Sequence, residues 1–327
     1  MNEDSLVSTK SRETGKGAER LQQYDNIYLA PPFSVLEPGK IREKFPQLSN
    51  FWIYGCDFAI RRNGSEREIR SNSGVLIGFR HDNSRVINID HHAETPEMAR
   101  FVSTTNLAIL FVQTEGTIPQ GNVVLLNHND TDSTLSALIL TGKLSPSDRF
   151  GQAAIAADHT GERNDIADLL NAISAKKDLV FSVDCLNKLL RGEQLPEEAI
   201  ELLNKRIAER QVLEEFIRTG GLENMGNGVL FGRFTGPVRS EFIPAMVPEA
   251  RIFVLASPLG EGTDENTWDI KVRAGQSFPK GMNLQRLELP SWTGRWNAGG
   301  TKRQGGWHGE DPRDYALLVV QRLTLSK

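Results

Sequence analysis

Short apolar runs, each closed by carboxylates or imidazoles, set the rhythm of the first half of the chain. Residues 50–57 are almost continuously apolar and end in Asp57, and a further run spans 74–79. Residues 86–89 follow, and directly after them come Asp90, His91 and His92. The run 121–126 leads into a polar segment holding His128, Asp130 and Asp132, and the compact run 153–157 leads into Asp158 and His159. Runs of this length without alternation predict strands covered on both faces. Between them the spacing turns helical: 96–112, entered at Thr95 and Pro96, then 134–140, then the stripe Ile166, Leu169, Leu170 and Ile173. Strands alternating with helices predict an α/β fold, a doubly wound and mainly parallel sheet. Such a sheet carries its ligand sites at the carboxyl ends of its strands, so residues far apart in sequence can converge there.

The second half reads differently. Residues 186–222 are charged and helical, with Ile200, Leu203, Ile207, Leu213 and Ile217 roughly on one face, until Gly220 and Gly221 break the pattern. This predicts a helical connector between a first domain, 23–185, and a smaller C-terminal α/β domain with a mixed sheet, 223–327. Strand-like runs there cover 251–256, 268–273 and 315–320, and a glycine-rich run covers 294–306. Residues 1–22 are polar and charged, which predicts a disordered leader.

A length of 327 residues suits two domains. The net charge of −4, without a long basic run, speaks against a long nucleic acid as partner. No apolar run is long enough to cross a membrane, so no membrane partner is expected. The two cysteines, Cys56 and Cys185, have no metal-type spacing and indicate no disulfide framework, so the expected location is cytoplasmic.

Four of the six histidines, at 91, 92, 128 and 159, fall at the ends of the apolar runs; only His81 and His308 lie elsewhere. Carboxylates and imidazoles without thiolates suit a hard-to-borderline divalent ion: Mn2+ foremost, Mg2+ or Co2+ as alternatives. The donors are too many for one ion and fit a pair, and two ions about 4 Å apart clamp an in-line phosphoryl displacement. The glycine-rich run adds approachable backbone N–H groups together with Arg295, Lys302 and Arg303, which suit a phosphate.

Asp90, His91 and His92, followed by Ser103, Thr104 and Thr105 at a helical run, resemble the signature of the DHH family of phosphoesterases. The segment with His128, Asp130 and Asp132 is similar to that family's first motif, as an H-x-D-x-D variant. Residues 154–161 are similar to its fourth, and Asp57 sits where the second motif's bridging aspartate is expected. Residues 271–273 and 294–306 resemble the associated substrate-binding domain, so the likeness covers roughly 50–320. Two features depart from the family. Its first motif ordinarily precedes the others, whereas here it follows Asp90, as if the strand order were permuted. Its G-G-H followed by A-A-G is here a run without a histidine among the glycines, which weakens base or sugar recognition and leaves phosphate contact.

The resemblance implies that Asp57 bridges two ions, with His91 and Asp158 on one, His128 and Asp130 on the other, and Asp132 between or beside them. It implies that Asp90 orients its neighbours and that His92 contacts the phosphate or protonates the leaving oxygen. His159, where the family has threonine, is open between an extra ligand and a supporting role. Arg273 and Arg295 are expected to clamp phosphoryl oxygens, aided by Gly299, Gly300, Lys302, Arg303, Gly305 and Gly306. The expected function is a metal-dependent phosphoesterase, a phosphatase acting on a small phosphorylated metabolite or nucleotide by metal-hydroxide attack at a dinuclear site. The alternative is a phosphodiesterase on short oligonucleotides or cyclic dinucleotides, with Trp292, Trp296 and Trp307 available to stack a base. A non-catalytic nucleotide-binding regulator is the reading from another class, and the full ligand set argues against it. A homodimer is compatible with the sequence.

Overall fold

Alternation of buried faces explains how the apolar runs are used. The computed structural model describes residues 21–33, 36–62, 64–92, 102–260, 264 and 266–325. In the first unit the strands are β1 (Gln22–Tyr24), β2 (Ile27–Leu29), β3 (Ile53–Cys56), β4 (Arg67–Arg70), β5 (Leu76–His81), β6 (Val86–Ile89) and β7 (Val123–Leu126). They form one sheet in the order β1-β2-β7-β3-β6-β5-β4. Its centre, β2-β7-β3-β6, is parallel, and antiparallel pairs flank it on both sides. On β7, Val124 and Leu126 enter one core while Val123 and Leu125 enter the other. Helix α1 (Pro38–Lys44) contributes Ile41 to the second core. The first core is closed by α2 (Thr104–Glu115), α3 (Thr131–Leu140), α4 (Asp148–Ile155), α5 (Asp165–Ile173) and α6 (Leu179–Arg191). Both faces are thus covered, as expected of a doubly wound α/β layer.

Three expectations need correction. Residues 153–157 are not a strand: they are the end of α4 and the start of a single π-helical turn, Ala156–Thr160. A short alanine-rich run is ambiguous between buried strand and helix, and alanine's helix preference decides it here. Residues 315–320 lie within α9 (Arg313–Leu325), where Tyr315, Ala316, Val319 and Leu323 fall on one buried helical face. The helix expected over 96–112 is described from Thr104 onward; Ser103 caps it by accepting from Asn106 N–H. The expected start at Thr95 and Pro96, like most of the expected leader, lies outside the described residues.

Residues 186–222 contain the end of α6 and the long helix α7 (Glu197–Arg218). Helix α7 leaves Ile200 and Ile207 exposed and buries Ala199, Arg206, Arg210 and Leu213. Two buried guanidiniums are tolerable because they are paired and stacked. Both meet Asp168, Arg206 also meets Glu241, and both lie over the Phe242 ring. This network ties α5 to the second unit.

The second unit has β8 (Leu222–Gly226), β9 (Val229–Arg233), the short α8 (Ile243–Met246), β10 (Ile252–Pro258), β11 (Thr267–Ala274), β12 (Thr293–Arg295), β13 (Ala298–Gly300) and β14 (Trp307–His308). The sheet order is β12-β13-β11-β10-β9-β8, with β14 also on β11. Only the β9–β10 pair is parallel among the described strands, so this sheet is mixed. Gly161 fixes the junction between the units: its φ is +69°, and a Cβ there would lie 2.1 Å from the Glu241 carbonyl oxygen.

Candidate metal centre and the adjoining cleft

The strand order accounts for the displaced motif. Although β7 comes after β6 in sequence, it lies on the other side of β3, so β7, β3 and β6 are neighbours. Their carboxyl ends therefore place the 127–133 segment, Asp57 and the Asp90–His92 corner side by side. The fourth contributor, Asp158, arrives from the π turn after α4 rather than from a strand. Single π turns recur at functional sites because they re-aim a side chain out of the helical register.

Asp57 is the centre. It is buried, with φ of +57°, a left-handed conformation that costs a non-glycine residue energy and points to function. Its two oxygens face different neighbours. Oδ1 accepts from Thr104 Oγ1 (3.2 Å) and lies 3.5 Å from His91 Nε2 and 3.5 Å from His92 Nδ1. Oδ2 accepts from Ser133 Oγ (2.8 Å) and from His128 Nε2 (2.9 Å). His128 Nε2 is also 3.3 Å from Asp130 Oδ2, and its Nδ1 meets the Asn127 side-chain oxygen. Ser133 bonds Asp130 Oδ1 as well (3.0 Å), which locks Asp57 and Asp130 together.

On the other side, His91 Nδ1–H donates to the Val102 carbonyl (2.6 Å), so its Nε2 carries the lone pair. That arrangement is the usual way a ligating imidazole is oriented. The same Nε2 is 3.3 Å from Asp158 Oδ2 and 3.7 Å from Asp132 Oδ2. His92 Nδ1–H donates to Asp90 Oδ1 (2.6 Å), and the remaining Asp90 oxygen is buried without a partner among the described residues. Arg295 reaches in from β12: its Nη1 is 2.9 Å from His91 Nε2, 2.5 Å from His92 Nε2 and 3.2 Å from Asp158 Oδ2.

Asp132 has a structural task besides. Its oxygens accept the first N–H groups of α2, from Thr104 (2.7 Å) and Thr105 (2.6 Å), the favoured place for a carboxylate at a helix start. Each oxygen keeps a further lone pair.

Crowding of anions dominates the electrostatics. Burial, then the neighbouring Asp57 carboxylate, pushes Asp132 up to about 8. Burial alone would lower His91, but the bond to Asp158 and the nearby Asp132 carboxylate raise it to about 9. Burial likewise opposes protonation of His128, and Asp130 and Asp57 override it, holding the imidazolium well above its ordinary value. Asp158 is held well below the carboxylate range: burial works against this, and Arg295 and His91 outweigh it. The protein has gathered carboxylates that repel one another unless cations sit among them. Oxygen and imidazole donors without sulfur match a hard-to-borderline divalent ion. The ligand atoms of Asp57, His91 and His92 lie within 4.8 Å of one another, and so do those of Asp57, His128 and Asp130. The donor set fits two ions sharing Asp57.

His159 also falls within such a cluster, with His91 and Asp158, yet both its ring nitrogens are engaged. Nε2–H donates to the Val102 carbonyl (2.9 Å) and Nδ1 accepts from Asn297 Nδ2 (2.8 Å). Burial, reinforced by His91, lowers it to about 3, so it is a neutral strut between the two units.

Beside the metal donors opens a cleft of about 1260 Å³, walled by both units. His92 and Arg295 line it together with Arg61, Arg62, Lys271, Lys302 and Arg303, against the acidic Glu66 and Asp269. Gly299 and Gly300 line it as expected. Arg273 does not: it is buried and donates to the Asp158 backbone carbonyl (3.0 Å), so it braces the site from behind rather than clamping a phosphate. Gly305 and Gly306 are absent from the wall as well. Gly305 ends a 3-10 turn, and Gly306 packs toward Thr267 and Leu259. Trp292, Trp296 and Trp307 pack against the C-terminal core instead of facing the cleft. The sequence reading missed Thr104, Ser133, Asn297 and the Val102 carbonyl as supports. It also took Arg61 and Arg62 for loop charge alone.

No family model matches the chain, and no curated protein matches it. Among solved structures it is similar to a pGpG-specific phosphodiesterase, PggH, from Vibrio cholerae, at 10% identity and a TM-score of 0.43, over 63% of this chain and 82% of that one. It is similar to an exopolyphosphatase-related protein from Bacteroides fragilis at 11% identity and a TM-score of 0.33, over 68% of this chain and 66% of that one. RecJ from Thermus thermophilus, in complex with Mg2+, is 15% identical with a TM-score of 0.30, over 71% of this chain and 35% of RecJ. The chain therefore spans about a third of RecJ's length. The functional reading is taken from the side chains themselves, in which the chain resembles the DHH phosphoesterases.

Proposed function

We propose that this protein is a two-metal phosphoester hydrolase, a phosphatase acting on a small phosphorylated molecule. The observation that carries the reading is Asp57, whose two buried oxygens face two separate donor groups, His91 on one side and His128 with Asp130 on the other. When bound, a pair of divalent ions supplies Lewis acidity and a nucleophile at neutral pH. Mn2+ is the ion we favour, for the mixed oxygen and nitrogen donors. Asp57, Asp130, Asp132, Asp158, His91 and His128 hold the ions. Asp90 fixes His92 with a proton on Nδ1, leaving Nε2 at the cleft wall to exchange a proton with the leaving oxygen. Arg295 and the Gly299–Gly300 backbone receive the phosphoryl oxygens.

The cleft supports a small anionic substrate. Six cationic side chains line it against two acidic ones, and among the described residues no aromatic ring other than His92 is on its wall to stack a base. A diesterase acting on dinucleotides is the second reading, favoured by the extension of the cleft out to Arg61, Arg62, Lys302 and Arg303. Phosphate release from a panel of monoesters, with Mn2+ and then with chelator, tests the proposal. Turnover that chelator abolishes is expected, and a hundredfold preference for a dinucleotide over a nucleoside monophosphate would select the second reading. No turnover of any phosphoester with metal bound would defeat both.

A further inference from the structure

The His91 side of the centre already has a cation of its own. His91 gives its Nδ1 proton to the Val102 carbonyl and His92 gives its own to Asp90, so each ring has its lone pair at Nε2. Both lone pairs accept from one atom, Arg295 Nη1, at 2.9 and 2.5 Å, and Asp158 Oδ2 lies 3.2 Å from it. An imidazole nitrogen has a single lone pair, which serves an N–H donor or a metal ion but not both. Arg295 belongs to the other unit: it ends β12, the edge strand of the second sheet, and crosses to reach the histidines.

We propose that Arg295 is a tethered surrogate cation, which closes the metal-free site by occupying the lone pair of His91 and must withdraw before an ion can bind there. The inference rests on the metal reading above and adds a competition within it. The withdrawn guanidinium stays at the cleft wall, which Arg295 lines, so loading of the centre and exposure of an anion receptor are one event. The arrangement also explains how a buried Asp158 stays ionised in the metal-free protein: Arg295 supplies the countercharge. By mass action the apparent affinity for metal is the intrinsic one reduced by the fraction of molecules with Arg295 withdrawn.

The test is a titration of metal-stripped full-length protein with MnCl2, following free Mn2+ by electron paramagnetic resonance. Arg295→Met and, as a second variant that keeps an amide, Arg295→Gln are compared with wild type, folding being checked by circular dichroism. Lys302→Met removes a cleft charge without touching His91 and serves as the control. Tighter Mn2+ binding by at least about tenfold is expected in either folded Arg295 variant, with the Lys302 variant unchanged within about twofold. Equal or weaker binding in the folded Arg295 variants overturns the inference and leaves the metal reading standing. Equal tightening by the Lys302 control shows a general field effect and overturns it too. Absence of Mn2+ uptake by every protein removes the metal reading and the inference with it.

Discussion

The two walls of the cleft are built on opposite principles. On the first unit, every donor is buried or half-buried and held by a second group: Asp57 by Thr104 and Ser133, His91 by the Val102 carbonyl, His92 by Asp90, Asp132 by two α2 N–H groups. On the second unit, Lys302 and Arg303 are exposed side chains on a glycine-rich turn, and the backbone at Gly299 and Gly300 is half-buried. A fixed, mutually repelling set of anions suits chemistry that needs ions at set positions. Long exposed cations suit recognition of a charged group whose position varies. The comparison predicts that damage to the first wall removes turnover, whereas damage to the second weakens capture.

The largest effect is expected at the shared carboxylate. Asp57→Asn keeps a residue tolerant of the left-handed backbone, so the fold should survive. Its kcat should fall by at least about a thousandfold, on the order of 4 kcal/mol in the barrier; steady-state kinetics with circular dichroism alongside checks this. Next comes His92→Asn, which removes the proton-exchanging group but none of the donors facing His128. A loss in kcat of about a hundredfold or more is expected, with Mn2+ uptake retained. If uptake fails instead, His92 belongs to the metal donors.

A pH series sharpens the comparison further. His91 is raised to about 9 in the metal-free site, so below that pH a proton occupies the ring and an ion has to displace it. Apparent Mn2+ affinity should therefore fall about tenfold for each pH unit below about 9. A second proton, on His128, makes the dependence steeper still. Isothermal titration between pH 6 and 8 reads the slope, and a flat profile would contradict the donor assignment. The smallest effect belongs to the second wall: Lys302→Ala and Arg303→Ala should each raise KM about three- to tenfold with kcat nearly constant, and added salt should mimic them.

Much of this was legible in the sequence for identifiable reasons. Three of the four donor segments lie at the ends of parallel strands, where continuous apolar runs announce burial and the next polar residues must be at the tip. The convergence of His128 with Asp57 needed strand order, which the sequence does not state but which a parallel sheet permits. The run before Asp158 was misread because five small apolar residues carry no period that separates strand from helix. Arg273 and the tryptophans were misassigned for a related cause: residue type suggests what a side chain can bind, while packing decides whether it faces the cleft. The supports at Thr104, Ser133 and Asn297 were invisible since single hydroxyls and amides have no pattern, and only tertiary proximity gives them partners.

The central claim is that Asp57 is shared between two cations. Electron paramagnetic resonance of protein saturated with Mn2+ tests it most directly, together with the number of ions bound per chain. The account predicts two ions with a spin-coupled spectrum, and loss of the coupling in Asp57→Asn. A single magnetically isolated Mn2+ per chain, or coupling that persists without the Asp57 carboxylate, would contradict it.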